Sequence, residues 1–216
     1  MKMACELKIA ALLMSCPERA AVRARTLETF RGTDFGAEPE VILDDRTQPE
    51  PTRGITATWR RMLQRALELD ADHYLLLEDD LELNPHLRHN LCSWGPLLDS
   101  DPRLAFYGSL YNPARAYLRR NGARNYFIAD PGDVWGSQAL VLSRGSVGYI
   151  LRFWDEESGA ADIKMSRLAA RVGPIYYHVP SLVQHTGAVS TWGGITHHAP
   201  DFDPTFKALA PGPKLA

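Results

Sequence analysis

The stretch His73-Tyr74-Leu75-Leu76-Leu77-Glu78-Asp79-Asp80 decides how the rest of the chain is read. A short run without polar alternation is followed at once by three carboxylates. Such a run fits a strand buried on both faces, the setting of a sheet covered by helices. The acids then lie at the strand's C-terminal end, where open α/β sheets bind their ligands.

Working outward, Leu7 to Met14 reads as another strand, closed by Ser15, Cys16 and Pro17. Pro17 suits the first turn of a helix, in which Ala20, Ala24, Leu27 and Phe30 recur at helical spacing until Gly32. Glu40 to Leu43 is a second strand ending in Asp44 and Asp45, and Arg46 to Arg53, with two prolines, is a loop. An amphipathic helix follows, with Ile55, Trp59, Met62, Leu63, Ala66 and Leu67 on one face and Arg60, Arg61 and Arg65 on the other. Beyond the acids, Asn84 and Pro85 fit the N-cap and first position of a helix, and Arg103 to Leu110 fits a strand. Periodicity fades from Tyr111 to Val134, a long excursion or a short hairpin. Then come a strand over Ala139 to Leu142 and a helix through Tyr149, Ile150, Phe153 and Trp154. Another helix, from near Ala161, shows Met165, Leu168, Ala169 and Val172 on one face and stops at Gly173-Pro174. Ile175 to His178 and Ser181 to Gln184 are short strands. Alternating β and α segments predict an α/β fold with a mostly parallel central sheet flanked by helices.

Length and composition set the outer limits. The 216 residues suit one domain, and 45% hydrophobic with 23% charged residues excludes global disorder and fibrous classes. A formal net charge of -2 gives no global basic field for nucleic acid or a membrane surface. The longest apolar run, Ile9 to Met14, is too short to span a bilayer, so no membrane span is expected. Glu6 and Lys8 interrupt the N-terminal apolar residues, so no signal peptide is expected. Cys5, Cys16 and Cys92 match neither a disulfide framework nor a zinc spacing, which leaves a reducing, cytoplasmic location as the expectation (the host cytoplasm for a viral protein).

Three signals carry chemistry. The first is Glu78-Asp79-Asp80: crowded carboxylates raise one another's pKa, and a divalent cation relieves the repulsion. Mg²⁺ and Mn²⁺ accept carboxylate oxygens and keep positions open for phosphate. The plainer alternative is an acidic turn whose charge favours the next helix. The second is His185, ending a short apolar strand beside Gly187, where a neutral imidazole could join the same cation and tilt it toward Mn²⁺, or serve as a hydrogen-bonded loop residue. The third is Asp162, in the first turn of its helix, placed either as a base aimed into a cleft or as a helix-dipole acid. Before it, Trp135, Gly136, Ser137 and Gln138 offer an apolar face and a close backbone approach to a sugar ring, or a turn with a core tryptophan. Arg115, Arg119, Arg120 and Arg124, interleaved with Tyr117, Tyr126 and Phe127, could grip phosphates and stack bases, or form a solvated loop.

In their order along the chain these motifs resemble the GT-A glycosyltransferases. The text LLLEDDLELNP, GSQALVLS and PSLVQHTG is similar to the branch with EDD in place of DxD, which includes N-acetylglucosaminyltransferases and related small bacterial and viral enzymes. The resemblance runs from about Leu7 to Trp192 and implies one GT-A domain over 1–192. Within it, 1–110 would bind the nucleotide sugar and 111–192 the acceptor, with 193–216 as a C-terminal flap or tail. It implies a UDP-sugar donor, Mn²⁺ or Mg²⁺ on Asp80 and His185, and Glu78 and Asp79 beside the donor. Ser15, Arg19 and Asp44 would hold the base side of that donor. Asp162 would be the base of an inverting hexosyl or N-acetylhexosaminyl transfer to a hydroxyl acceptor, and Trp135 to Gln138 would meet that acceptor. The acceptor is left open between a glycan and a hydroxymethylated base in DNA. At 216 residues the chain is short for the family, and the added C-terminal domain of larger members is not expected. Two other functions compete: a sugar nucleotidyltransferase and a non-catalytic nucleotide-sugar binding module. The first would want a glycine-rich loop after the first strand, where this chain has Ser15-Cys16-Pro17-Glu18-Arg19.

Overall fold

The structure, a computed structural model, describes residues 7–45, 50–113, 125–130, 134, 136–187 and 198–209. Its centre is β3 (His73–Leu77), every residue of which is buried. Side chains alternate across a strand, so Tyr74 and Leu76 enter one core while Leu75 and Leu77 enter another on the opposite face. Both faces are covered by protein, and this is why the segment carries no polar alternation.

On one side of β3 lies β1 (Ile9–Ser15), and beyond it β2 (Glu40–Leu43). Both pairings are parallel, with Leu12 opposite Leu76 and Leu13 opposite Val41. On the other side the order continues through β7 (Ala139–Ser143), β5 (Tyr107–Ser109), β8 (Ile175–His178) and β6 (Tyr126–Ala129). The pairings β3–β7, β5–β7 and β6–β8 are antiparallel and β5–β8 is parallel. Hence β2, β1, β3, β5 and β8 share one direction, and only β7 and β6 oppose it. The sheet is mostly parallel by strand direction, as the alternating pattern predicts.

One face is covered by α2 (Pro51–Glu68), α5 (Arg144–Arg152) and α6 (Ala161–Ala170). Trp59, Met62 and Leu63 from α2, Ile150 from α5, and Met165 and Leu168 from α6 pack on Leu12, Leu76 and Leu140. The other face is covered by α1 (Ala20–Arg31), α3 (Leu87–Leu91) and α4 (Gly95–Leu98) through Phe30, Leu87, Leu91, Trp94 and Leu97. Each such side chain contributes about 1.5–3 kcal/mol when fully buried. Among the described residues no helix is long and apolar enough to cross a membrane.

A two-stranded antiparallel sheet, β4 (Leu81–Leu83) with β9 (Val183–His185), flanks the main one. The sequence pattern did not point to β4, and it places the last short strand slightly early, over Ser181 to Gln184. Arg103 to Leu110 is a strand only over Tyr107–Ser109. Helix α2 already begins at Pro51, where a proline lacks only a backbone donor that a first turn leaves unused. The faded segment contains β6, an edge strand.

Asn84 is not a helix cap. It is fully buried, and its Oδ1 accepts from His86 N at 2.8 Å and from Asn90 Nδ2 at 3.1 Å. Its Nδ2 donates to the carbonyls of Asp203 (2.9 Å) and Phe206 (3.0 Å). Asn90 Oδ1 accepts from Ala208 N, and Gln184 exchanges two hydrogen bonds with the Ala199 backbone. Residues 198–209 are therefore tied to the domain by the amide side chains of Asn84 and Asn90, both buried, and of half-buried Gln184. Cys16 is in no disulfide, whereas Cys92 is disulfide-bonded, which the expectation of a reducing setting did not anticipate.

Candidate active site

Leu13 pairs with Leu77, so the residues just past each strand emerge side by side. Ser15 Oγ donates to Asp79 Oδ2 at 2.5 Å. A single 3-10 turn, Pro17–Arg19, then folds the chain back over the acids. From it Arg19 Nε donates to both oxygens of Asp79, at 2.8 and 3.0 Å, while Nη2 donates to Asp80 Oδ2 at 2.7 Å. Asp44 continues this edge beyond β2, its N–H donating to the Ser15 carbonyl at 2.8 Å. A Cβ on Gly54 would lie 2.9 Å from Asp44 Oδ2, so the carboxylate rests against the first turn of α2.

His185 arrives by a different route. Strand β9 pairs with β4 so that His185 stands opposite Leu81, and Thr186 N donates to the Asp80 carbonyl at 2.8 Å. This register sets His185 Nε2 3.2 Å from Asp80 Oδ2. Gly187 is required by proximity: a Cβ there would lie 2.6 Å from Asp80 Oδ2 and 2.8 Å from His185 Nε2. Ser15, Arg19, Asp79, Asp80 and His185 thus form one cluster.

The three acids differ in environment. Asp79 is buried, and burial pushes its carboxyl above the ordinary value despite the Ser15 and Arg19 bonds. Burial acts on Asp80 in the same direction, but the His185 contact and the Arg19 guanidinium together hold it below its ordinary value. Glu78 turns the other way, toward β7. Its N–H donates to the Gln138 carbonyl at 2.9 Å and its Oε1 accepts from Ser137 Oγ at 2.6 Å. Burial, with the Asp80 charge, pushes Glu78 to about 7, although part of its surface reaches solvent.

Through that loop the acids connect to Asp162. Gly136 has φ near +79°, a conformation that favours glycine, and a Cβ would also collide with the Gln138 side chain. Gly136 N donates to Asp162 Oδ2 at 3.2 Å, while Ile163 N donates to Asp162 Oδ1 at 2.9 Å. Asp162, Gly136, Ser137 and Glu78 therefore form a second, contiguous group. Gln138 Oε1 is buried and accepts no hydrogen bond. Trp135 lies outside the described residues, as do Arg115, Tyr117, Arg119, Arg120 and Arg124. Phe127 stacks on Tyr177 within the core and Tyr126 meets Tyr176 edge-on, so both aromatics have packing roles on β6.

Two site residues escaped the sequence reading. Thr26 of α1 is buried, donates to the Asp79 carbonyl at 2.6 Å and accepts from Leu81 N at 2.9 Å, which fixes the acidic turn. Arg23 Nη1 donates to Ser15 Oγ (2.9 Å) and to the Cys16 carbonyl (3.1 Å). Its spacing of four residues from Arg19 was the available signal.

No protein-family model matches the sequence, and comparison with curated proteins finds no match. Solved structures do match. A glycosyltransferase involved in the glycosylation of the major capsid of PBCV-1 superposes with a TM-score of 0.52 at 14% identity, over 85% of this chain and 94% of that one. The chain shares its fold. The architecture is a GT-A-like, Rossmann-like α/β fold. Weaker likenesses include the galactosyltransferase LgtC in complex with donor and acceptor sugar analogues (TM-score 0.39, 15% identity, 78% of this chain and 72% of that one). Another is 4-diphosphocytidyl-2C-methyl-D-erythritol synthase (TM-score 0.44, 14% identity, 94% of each chain).

The residues at Asp80 fit the chemistry of a divalent cation. Asp80 Oδ1 is buried and unpartnered, and the adjacent imidazole nitrogen and carboxylate suit Mn²⁺ chemically. No group of three or more His, Cys, Asp or Glu able to hold a metal occurs among the described residues.

Proposed function

We propose that this chain is a metal-dependent, inverting glycosyltransferase that moves a sugar from a UDP-sugar to a hydroxyl acceptor. The observation that supports this most is the convergence of Ser15, Arg19, Asp79, Asp80 and His185 at the C-terminal edge of β1 and β3. That edge is the ligand-binding edge of an open α/β sheet. A pyrophosphate needs positive charge where it binds, and the site offers Arg19, with Asp80 and His185 as ligands for a cation. When bound, the cation stabilises charge on the leaving diphosphate. Ser15 and Asp44 lie where the nucleoside would extend along β1 and β2. Residues 1–110 would thus hold the donor and 111–192 the acceptor.

Asp162 is the proposed base. Its carboxylate reaches the Gly136 loop, and that loop reaches Glu78, so one path of contacts links base and donor edge. Asp162 would take the acceptor proton as the hydroxyl attacks, the ordinary task of a carboxylate in a single displacement. Gly136, Ser137 and Gln138 would line the acceptor side. Ser137 is already engaged with Glu78, so Gln138, with its unpartnered Oε1, is the better placed to meet a hydroxyl.

The test is release of UDP from a panel of UDP-sugars, with Mn²⁺ and with EDTA, scored with and without hydroxyl acceptors. Sugar transfer from one donor that stops with EDTA supports the reading. Pyrophosphate release from UTP and a sugar phosphate would instead identify a nucleotidyltransferase. Tight binding without turnover would identify a binding module.

A further inference from the structure

We propose that Arg19 is a built-in rival of the divalent cation, holding Asp79 and Asp80 together while the donor is absent and yielding Asp80 when the ion arrives with the diphosphate. This rests on the metal-dependent reading above and concerns how that site is kept before it is filled.

The geometry is asymmetric in a way that permits such an exchange. Arg19 grips Asp79 with Nε at 2.8 and 3.0 Å and reaches Asp80 with Nη2 alone. Asp79 is anchored independently by Ser15 Oγ, and its backbone carbonyl is tied to Thr26. Asp80 Oδ2 is shared between Arg19 Nη2 at 2.7 Å and His185 Nε2 at 3.2 Å, while Oδ1, buried, accepts nothing. A cation between Asp80 and His185 would crowd Nη2 and repel the guanidinium charge at short range. Arg19 keeps about a third of its side chain exposed, at 31%, so it has room to turn about Asp79.

Charge balance points the same way. Arg23 bonds only the Ser15 hydroxyl and the Cys16 carbonyl, and among the described residues it pairs with no carboxylate. Arg19 on the two aspartates and Arg23 one hydroxyl away therefore offset part of the acidic charge that would otherwise attract a free cation. A diphosphate restores the negative charge and offers the displaced Arg19 a new partner, since a guanidinium fork matches phosphate oxygens. The cation and the nucleoside diphosphate should therefore bind far better together than apart.

The experiment is Mn²⁺ binding by electron paramagnetic resonance of the free ion, for wild type, Arg19→Gln and Arg19→Lys, without and with UDP. Without UDP, Arg19→Gln should bind Mn²⁺ about tenfold tighter or more than wild type, about 1.4 kcal/mol. With UDP the gap should close, because wild-type Arg19 then serves the diphosphate. Arg19→Lys keeps the charge but cannot fork across two carboxylates, so it should fall between the two, and it serves alone if the Gln variant does not fold. Equal or weaker Mn²⁺ binding in a folded variant without UDP would make Arg19 a fixed brace and overturn the inference, leaving the proposed function standing. No Mn²⁺ binding by any of the three proteins, even with UDP, would remove the metal-dependent reading and the inference with it.

Discussion

Asp162→Asn separates a base from a latch. In the structure Asp162 Oδ2 accepts from Gly136 N and Oδ1 from Ile163 N, in the first turn of α6. Asn is nearly isosteric but retains one acceptor, so one of these N–H groups would face an amide NH₂. Losing a hydrogen bond to a charged group costs about 1.5–3 kcal/mol at most, and losing the negative charge at a helix start about 0.3–1 kcal/mol. For a domain of this size each kcal/mol lowers Tm by about 2–4 °C. The latch role alone therefore predicts a Tm lower by roughly 4–16 °C and turnover close to normal at a temperature where the variant is folded. The base role predicts the same Tm change together with a loss of about 10²–10⁴ in kcat, or about 2.7–5.5 kcal/mol in the barrier. The assay is single-turnover sugar transfer at saturating donor and Mn²⁺, with calorimetry to confirm that the variant still binds donor. Turnover within about threefold of wild type, with Tm lowered, would refute the assignment of Asp162 as base.

Other perturbations test the rest of the site and the frame around it. Gly187→Ala puts a Cβ 2.6 Å from Asp80 Oδ2, so Mn²⁺-dependent donor affinity should fall about tenfold or more while Tm changes little. Unchanged calorimetric affinity would mean that the carboxylate shifts aside without loss. His185→Ala should weaken Mn²⁺ affinity in the presence of UDP and leave the circular dichroism spectrum unchanged, and equal affinity would make His185 a structural residue. Asn84→Ala removes the group that satisfies two carbonyls of the C-terminal segment, so unfolding free energy in urea should fall by about 2–4 kcal/mol. Protease cleavage within 198–209 should rise in parallel. His178 is fully buried, and burial pushes its pKa down to about 4. The unfolded chain then binds the extra proton first, so this stability is complete above about pH 6.5 and lost as pH falls toward 4. Between pH 7 and 4.5 wild type should lose roughly 2–3 kcal/mol more than His178→Gln. Parallel pH profiles of the two proteins would contradict that.

The elements that could be read from sequence are those whose local pattern and tertiary role coincide. Tyr74 to Leu77 sit in two cores at once, and that double burial is written directly as an unbroken apolar run. Helix α2 shows its apolar stripe because only one face packs on the sheet. Two of the misreadings, at Asn84 and Phe127, share a physical cause, in that a local signal was satisfied by a distant partner. Asn84 before Pro85 carries the signature of a helix cap, but its amide is spent on the carbonyls of Asp203 and Phe206, 119 and 122 residues away. The proline-bearing loop at 46–53 gave way to α2 because Pro51 costs nothing in a first turn. Phe127, grouped by composition with a basic segment, is spent in the core.

The candidate site divides along the same line. The contact of Ser15 with Asp79 follows from two parallel strands ending side by side, and both strands were legible, so their meeting was legible too. The contact of Asp80 with His185 is different. It depends on β4, three residues of which two are leucines flanking an exposed Glu82, and on its antiparallel register with β9. A one-residue slip in that register would turn His185 to the opposite face and away from Asp80. The register is held at one end by Thr186 N on the Asp80 carbonyl and at the other by Asn84 N on the Leu182 carbonyl. Gly187 then leaves the space that the Asp80 carboxylate and the imidazole occupy. The buried Asn84, far from any reacting group, therefore fixes both the C-terminal segment and one end of the ladder that aims His185. A ladder whose register is held at both ends by backbone hydrogen bonds keeps the imidazole on the Asp80 side, which is the physical ground for placing His185 beside Asp80 in the proposed donor site.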